Sequence, residues 1–195
     1  QQSRQIQFIT LSTFGDAQDF GEVTTLNKAG TAAVASSTRA CFMGGVGTTS
    51  DATHVSNVID FVTISTLGNA QDFGDMTVAV DALAGASNST RGLHAGGRTG
   101  SPAAEALQNV IGYITIASTG NASDFGDLSV VSEYAGTEMA SNSLRMVFAG
   151  AGDYPAGSNT MEFINIATAG NAADFGDQTG DYGSSACSDS HGGLS

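Results

Sequence analysis

One eight-residue segment, GNAQDFGD at 68–75, constrains this chain more than any other, because it occurs four times in 195 residues. The other copies are GDAQDFGE at 15–22, GNASDFGD at 120–127 and GNAADFGD at 170–177. A period of about 50 residues means one structural unit repeated, so each copy must solve the same packing problem. Units begin near residues 6, 59, 111 and 161, each with an apolar run: IQFITLSTF (6–14), IDFVTISTL (59–67), IGYITIAST (111–119) and MEFINIATA (161–169). As a strand, such a run puts Ile59, Phe61 and Thr63 on one side and Asp60, Val62 and Ile64 on the other. Apolar residues on both sides predict a strand covered on both faces.

The octet follows each run. Its Gly and Asn suit a turn, with the Asn and Asp side chains bonding backbone N–H groups. Its aromatic is held at a fixed offset, at Phe20, Phe73, Phe125 and Phe175. A short second strand is expected next, as DMTVAV (75–80) and DLSVVS (127–132). The third strand is rich in small residues, for example GTAAVASS (30–37) and LAGASNS (83–89), which suits a place where several strands crowd together. A polar SST or NST turn leads to a fourth strand ending in glycines: RACFMGG (39–45), RGLHAGG (91–97) and RMVFAGA (145–151). Linkers at 46–56, 98–108 and 152–158 lead to the next unit.

Four short strands per unit make a four-stranded antiparallel blade. Blades apolar on both faces must stack, and radial stacking gives a β-propeller. The reading is an all-β chain, residues 1–195 forming one repeat domain of about four blades, as a closed ring or as part of a larger one. The N-terminal hairpin (6–26) is expected to complete a blade with residues 179–195. A parallel β-solenoid is the rival, although its repeats are usually shorter.

Composition agrees and narrows the function. Only 13% of residues are charged, Gly numbers 26, Pro 2 and Trp is absent, as expected of close-packed strands and turns. Nineteen acidic against six basic residues give a net charge of −13, which disfavours nucleic acid and anionic membrane surfaces as partners. No apolar run reaches the ~18–20 residues of a membrane span. Cys41 and Cys187 fall in different columns of the repeat, as buried or free thiols. The chain carries neither an initiator Met nor a signal peptide, which points to processing or to a longer parent.

The glycine pairs Gly44-Gly45 and Gly96-Gly97, the aromatic-bearing strands with Phe61, Tyr113 or Phe163, and the second fixed aromatic together resemble the kelch repeat. The resemblance covers essentially the whole chain, with Phe of the octet standing where kelch repeats put Trp and Gly150-Ala151 replacing one glycine pair. The wording of the units is most similar to kelch-like repeats in structural and tail-associated proteins of tailed bacteriophages. That resemblance implies a non-enzymatic, extracellular or virion role, in particle structure or host attachment. Its partners would be other virion proteins, further copies of itself, or a host-surface glycan or protein. The alternative is a secreted or cell-surface propeller that binds a carbohydrate or protein through its inter-blade loops.

Three sets of residues could carry chemistry. The octet carboxylates Asp72, Asp75, Asp124, Asp127, Asp174 and Asp177 could hold Ca²⁺, but they match an EF-hand loop poorly, and turn capping is the simpler role. Otherwise no cofactor is expected. Arg39, Arg91 and Arg145 form one column, half of the six basic residues. Bidentate pairing with an octet carboxylate would tie the two hairpins of a blade together; a ring of Arg facing an anionic sugar is the other reading. In the linkers, Arg98, Glu105, Asp153 and Tyr154 have most capacity for ligand contacts. His54, His94 and His191 share no column, and no G-x-S-x-G, H-E-x-x-H or Walker sequence is present, so a non-enzyme is expected.

Overall fold

A computed structural model of the chain describes residues 4–25, 30–49, 52–100, 106–132, 139–149, 152–153 and 156–179. All helical or extended structure in them is β. A hairpin opens the chain, with β1 (Gln5–Phe8) and β2 (Gln18–Glu22). The first sheet comprises β3 (Ala32–Ala35) and β4 (Arg39–Met43), then β7 (Val58–Thr63) and β8 (Gln71–Asp75), and a separate small hairpin of β5 (Val46–Thr49) and β6 (Ala52–Val55) lies between the two pairs in the chain. The second repeats the plan with β9 (Ala84–Ser87), β10 (Arg91–Ala95), β11 (Arg98–Thr99), β12 (Ala106–Thr115) and β13 (Ser123–Ser132). The third has β14 (Met139–Ser141), β15 (Arg145–Ala149), β18 (Thr160–Asn165) and β19 (Ala173–Asp177), with the separate short pair β16 (Gly152–Asp153) and β17 (Ala156–Gly157) between β15 and β18 in the chain.

Each sheet is antiparallel and runs small-residue strand, Arg strand, aromatic strand, octet strand: β3-β4-β7-β8, β9-β10-β12-β13 and β14-β15-β18-β19. A sheet therefore straddles two sequence units, and β1-β2 supplies only the aromatic and octet strands. The expected pairing of this hairpin with 179–195 falls almost wholly outside the described residues.

Three sequence expectations need correction. The second strand does not follow the octet; it is the octet's own QDFGD (71–75), while residues 76–80 form no strand. Only in β13 does it continue to Ser132. The reason is a β-bulge: Ile59 pairs with Gly74 and Asp60 with Asp72, leaving Phe73 as the extra residue. The same shift recurs opposite Phe20, Phe125 and Phe175. The aromatic strands also end early, because residues such as Ile64-Ser65 and Ile116-Ala117 already turn. Finally, the linkers hold strands of their own: β5-β6 and β16-β17 are separate two-stranded antiparallel sheets, and β11 pairs antiparallel with β12.

Other expectations hold. Both faces of β7 are buried from Ile59 to Val62. The small-residue strands adjoin one another: a Cβ on Gly85 would come within 2.7 Å of the Ala32 side chain, Ser87 Oγ donates to the Ala35 carbonyl at 3.0 Å, and Ser141 Oγ donates to the Ser87 carbonyl at 3.2 Å. In the polar turns, Asn88 Oδ1 accepts from the N–H groups of Thr90 and Arg91 at 2.9 and 2.8 Å, and Asn142 does the same for Leu144 and Arg145. Such side-chain bonds fix the tight reversal into the Arg strand.

The apolar core lies between successive sheets. Val34, Met43, Ile59, Phe73, Ile114 and Ile116 fill the space between the first and second. Leu93, Ile111, Phe125, Met146, Phe148 and Ile164 do so between the second and third. Phe20, Val62 and Ala70 join the hairpin to the first sheet. Burying such side chains contributes roughly 1.5–3 kcal/mol each.

One cross-strand pair differs from sheet to sheet. Phe42 stands opposite Asp60 and Phe148 opposite Glu162, but in the second sheet His94 faces Gly112. A Cβ at Gly112 would overlap the imidazole. His94 is fully buried, and neither ring nitrogen meets a hydrogen-bond partner among the described residues. Burial pushes its pKa down from the ordinary 6.5 to about 4. Below pH 6.5 the unfolded chain binds a proton that the folded one refuses, so stability present above that pH is lost as pH falls toward 4. The loss is on the order of 3 kcal/mol. His94→Phe, which restores the residue of the other two sheets, should remove this component. Urea midpoints measured from pH 7 to 4 should fall more steeply for the native chain than for H94F; parallel curves would contradict the assignment.

Candidate interaction site: the joint between successive sheets

The octet joins each sheet to the next. Gly68 N–H donates to the Phe20 carbonyl and Ala70 N–H to the Glu22 carbonyl, both at 2.8 Å. Between them Asn69 Oδ1 accepts from Glu22 N–H at 3.1 Å. The next joint repeats these bonds: Gly120 to Phe73 and Ala122 to Asp75 at 2.8 Å, with Asn121 Oδ1 accepting from Asp75 N–H at 3.1 Å. In the third, Gly170 donates to Phe125 at 2.7 Å and Ala172 to Asp127 at 2.8 Å, and Asn171 Oδ1 accepts from Asp127 N–H at 3.1 Å. The Gly-Asn-Ala half of one octet thus docks on the Phe-Gly-Asp/Glu half of the one before. The expected capping of backbone N–H groups by Asn exists, but it reaches across sheets and not within a turn.

The close approach dictates the second glycine. A Cβ on Gly74 would lie 2.5 Å from the Gly120 carbonyl oxygen, and Gly21 and Gly126 face the same overlap with Gly68 and Gly170. Their φ angles of +151°, +143° and +148° at Gly21, Gly74 and Gly126 also favour glycine.

In each of the three sheets an Arg and two aromatics form a three-residue column. Phe61 meets Phe73 edge-to-face at 5.8 Å, as do Tyr113 and Phe125; Phe8–Phe20 and Phe163–Phe175 are at 6.0 and 6.1 Å. The Arg guanidinium lies over the other face of the first ring, with Arg39 4.6 Å from Phe61, Arg91 4.9 Å from Tyr113 and Arg145 4.7 Å from Phe163. Arg39 then donates to the Ile116 carbonyl at 3.1 Å and Arg91 to the Ile166 carbonyl at 2.7 Å, each in the following sheet. The expected pairing of this column with octet carboxylates is therefore corrected: a flat cation stacked on an aromatic aims its N–H groups at the neighbouring turn, where a carbonyl waits.

The other candidates are scattered. Arg98 donates from Nε and Nη2 to the two carboxylate oxygens of buried Asp81, at 3.0 and 3.2 Å. Asp153 lies in β16, while Glu105 and Tyr154 fall outside the described residues, as do Cys187 and His191. The carboxylates Asp72, Asp75, Asp124, Asp127, Asp174 and Asp177 are exposed or half-buried, and no three His, Cys, Asp or Glu side chains converge among the described residues. Cys41 is a free thiol, raised to about 12 chiefly by burial, which the nearby Arg39 partly opposes. Sequence reasoning missed two buried carboxylates that also bridge sheets: Asp60 accepts from the Thr24 hydroxyl, and Glu162 from Ser129 N–H at 3.0 Å. Their signal was a polar residue inside an otherwise apolar strand.

Gly126→Ala should destabilise the chain by about 2–4 kcal/mol, since it adds backbone overlap to φ strain. Asn171→Ala should cost only ~1 kcal/mol, the net worth of one hydrogen bond. Chemical denaturation of both variants checks the order; equal effects would contradict a joint set by backbone approach.

No protein-family model and no curated protein matches the sequence. Among solved structures, that of YjhT is similar, with a TM-score of 0.69 and 7% identity over 84% of this chain. The match takes in 56% of the YjhT chain, so the present chain spans just over half of its length. At this identity the likeness concerns the fold.

Proposed function

We propose that this chain is a kelch-like β-propeller segment that builds part of a bacteriophage particle or of its host-attachment apparatus. The observation that carries the proposal is the division of labour within the unit. Its near-identical parts, the octet and the Arg–aromatic column, are used to lock each sheet to the next, and sequence differences gather in the projecting pairs β5-β6, β11-β12 and β16-β17. Neighbouring small-residue strands on one side of the sheets support a radial arrangement of blades. A scaffold of this kind supplies rigidity, and the projecting pairs supply surface for other virion proteins or a host-surface glycan or protein. The proposal assigns no catalytic step and calls on no cofactor.

Mass spectrometry of purified particles of the phage encoding the chain should find its peptides at a stoichiometry comparable with known tail proteins. Their absence from intact particles, with the chain recovered from host secretions, would contradict the proposal.

A further inference from the structure

We infer that the joint between the first and second sheets is a seam that acid releases, while the joints on either side of it stay closed. The facing surface of the second sheet is unlike that of the other two. Gly92 turns toward the first sheet, since a Cβ on it would lie 2.5 Å from Val34 Cγ2, and so does Gly85, whose Cβ would lie 2.7 Å from the Ala32 side chain. His94 stands two residues beyond Gly92 in β10 and therefore faces the same way. It pairs with Gly85 in β9 and with Gly112 in β12, so a glycine flanks the imidazole on each side. The same positions hold Ala33 and Asp60 beside Phe42, and Met139 and Glu162 beside Phe148.

Glycine at 112 also removes a polar tie. Asp60 accepts from the Thr24 hydroxyl and so fastens the first sheet to the hairpin before it. Glu162 accepts from Ser129 N–H and fastens the third sheet to the second. Thr77 holds the place of Thr24 and Ser129 in the unit between, counted from the start of its octet, but Gly112 has no side chain to offer it. What occupies the joint is a buried imidazole whose two nitrogens have no hydrogen-bond partner among the described residues.

No group around this ring is arranged to hold a proton on it. Among the described residues, Cys41 lies in the same apolar layer, and its thiol, pushed up to about 12 chiefly by burial, stays neutral. Arg39 crosses the joint to the Ile116 carbonyl, and Asp81 is taken by Arg98. Asp75 sits at the octet contact, where its backbone receives Ala122 and Asn121. Burial alone lowers the His94 pKa from 6.5 to about 4. The closed joint is therefore favoured above pH 6.5 and loses that advantage as pH falls toward 4. Parting the two sheets lets water and a proton reach the ring, which raises the open population about 25-fold between pH 7.5 and 5. Lost stability in the whole chain does not say where the array parts; the glycine face and the missing carboxylate locate it here. The inference is independent of the virion proposal.

Amide hydrogen exchange of the 195-residue chain, followed by NMR at pH 7.5 and 5 and corrected for the intrinsic effect of pH on each amide, tests it. Protection of Gly120 and Ala122, which span this joint, should fall by about 25-fold on acidification. That of Gly68 and Ala70 before it, and of Gly170 and Ala172 after it, should change by no more than about threefold. An equal fall at all three joints would mean that acid unfolds the chain as one unit, and an unchanged Gly120 would mean that the imidazole does not govern the joint. Either result, read on the native chain alone, overturns the inference. His94→Phe should abolish the pH dependence at Gly120 and Ala122 and leave the other joints as they were; a dependence that persists would overturn it as well. His94→Gln, polar but without a titrating group, takes the place of the phenylalanine variant should that variant misfold.

Discussion

The structure depends on a backbone-to-backbone approach that only glycine permits. A carbonyl from one sheet occupies the place where the Cβ of Gly21, Gly74 or Gly126 would be. Two backbone hydrogen bonds and one Asn acceptor flank it. Each bond is worth only about 1 kcal/mol net, and the apolar layers between sheets contribute far more. The joint contributes position: it fixes how far apart the sheets stand and how they turn, and so which side chains those layers can hold. Because the two halves of the second and third octets serve different joints, a change in either octet disturbs two interfaces. That double constraint is a physical reason for the near-identity of the four copies.

The Arg–aromatic–Phe column works with the joint. The octet Phe, at its bulge, packs edge-to-face on the ring of the aromatic strand, and the Arg stacks on that ring, with Arg39 and Arg91 also reaching a carbonyl of the next sheet. Variation is tolerated where it is compensated locally. Phe opposite a buried carboxylate in the first and third sheets becomes His opposite Gly in the second, where the imidazole takes the space that a Cβ at position 112 would need. Each sheet thus has its own interior chemistry inside a common frame.

Much of this was legible from the sequence. Repetition set the number of units, alternation in runs such as IDFVTI predicted strands covered on both faces, and the small residues of LAGASNS marked the strands that crowd together. The octet was harder. Gly and Asn do signal turns, and nothing local distinguishes an Asn that caps its own turn from Asn121, whose partner Asp75 lies 46 positions away. The bulge escaped for a similar reason, since Phe73 becomes the extra residue only when its pairing with β7 is known. The Arg column was visible as a column, but its partners were misassigned because charge suggested carboxylates, whereas an aromatic stands diagonally across the strand pair, two residues from the one that faces each Arg. Arg98 was singled out as a linker residue with capacity for ligand contacts, and only the fold brings Asp81 to it.

Amide hydrogen exchange tests the account most directly. Gly68, Gly120 and Gly170 lie outside every strand on exposed turns, where backbone amides ordinarily exchange quickly. If the octets are joints, these three amides and those of Ala70, Ala122 and Ala172 should be protected as strongly as the strands beside them, because opening them requires parting two sheets. Exchange at the rate of free turn amides, with the strands still protected, would show that the sheets are held by their side chains alone and would contradict the account.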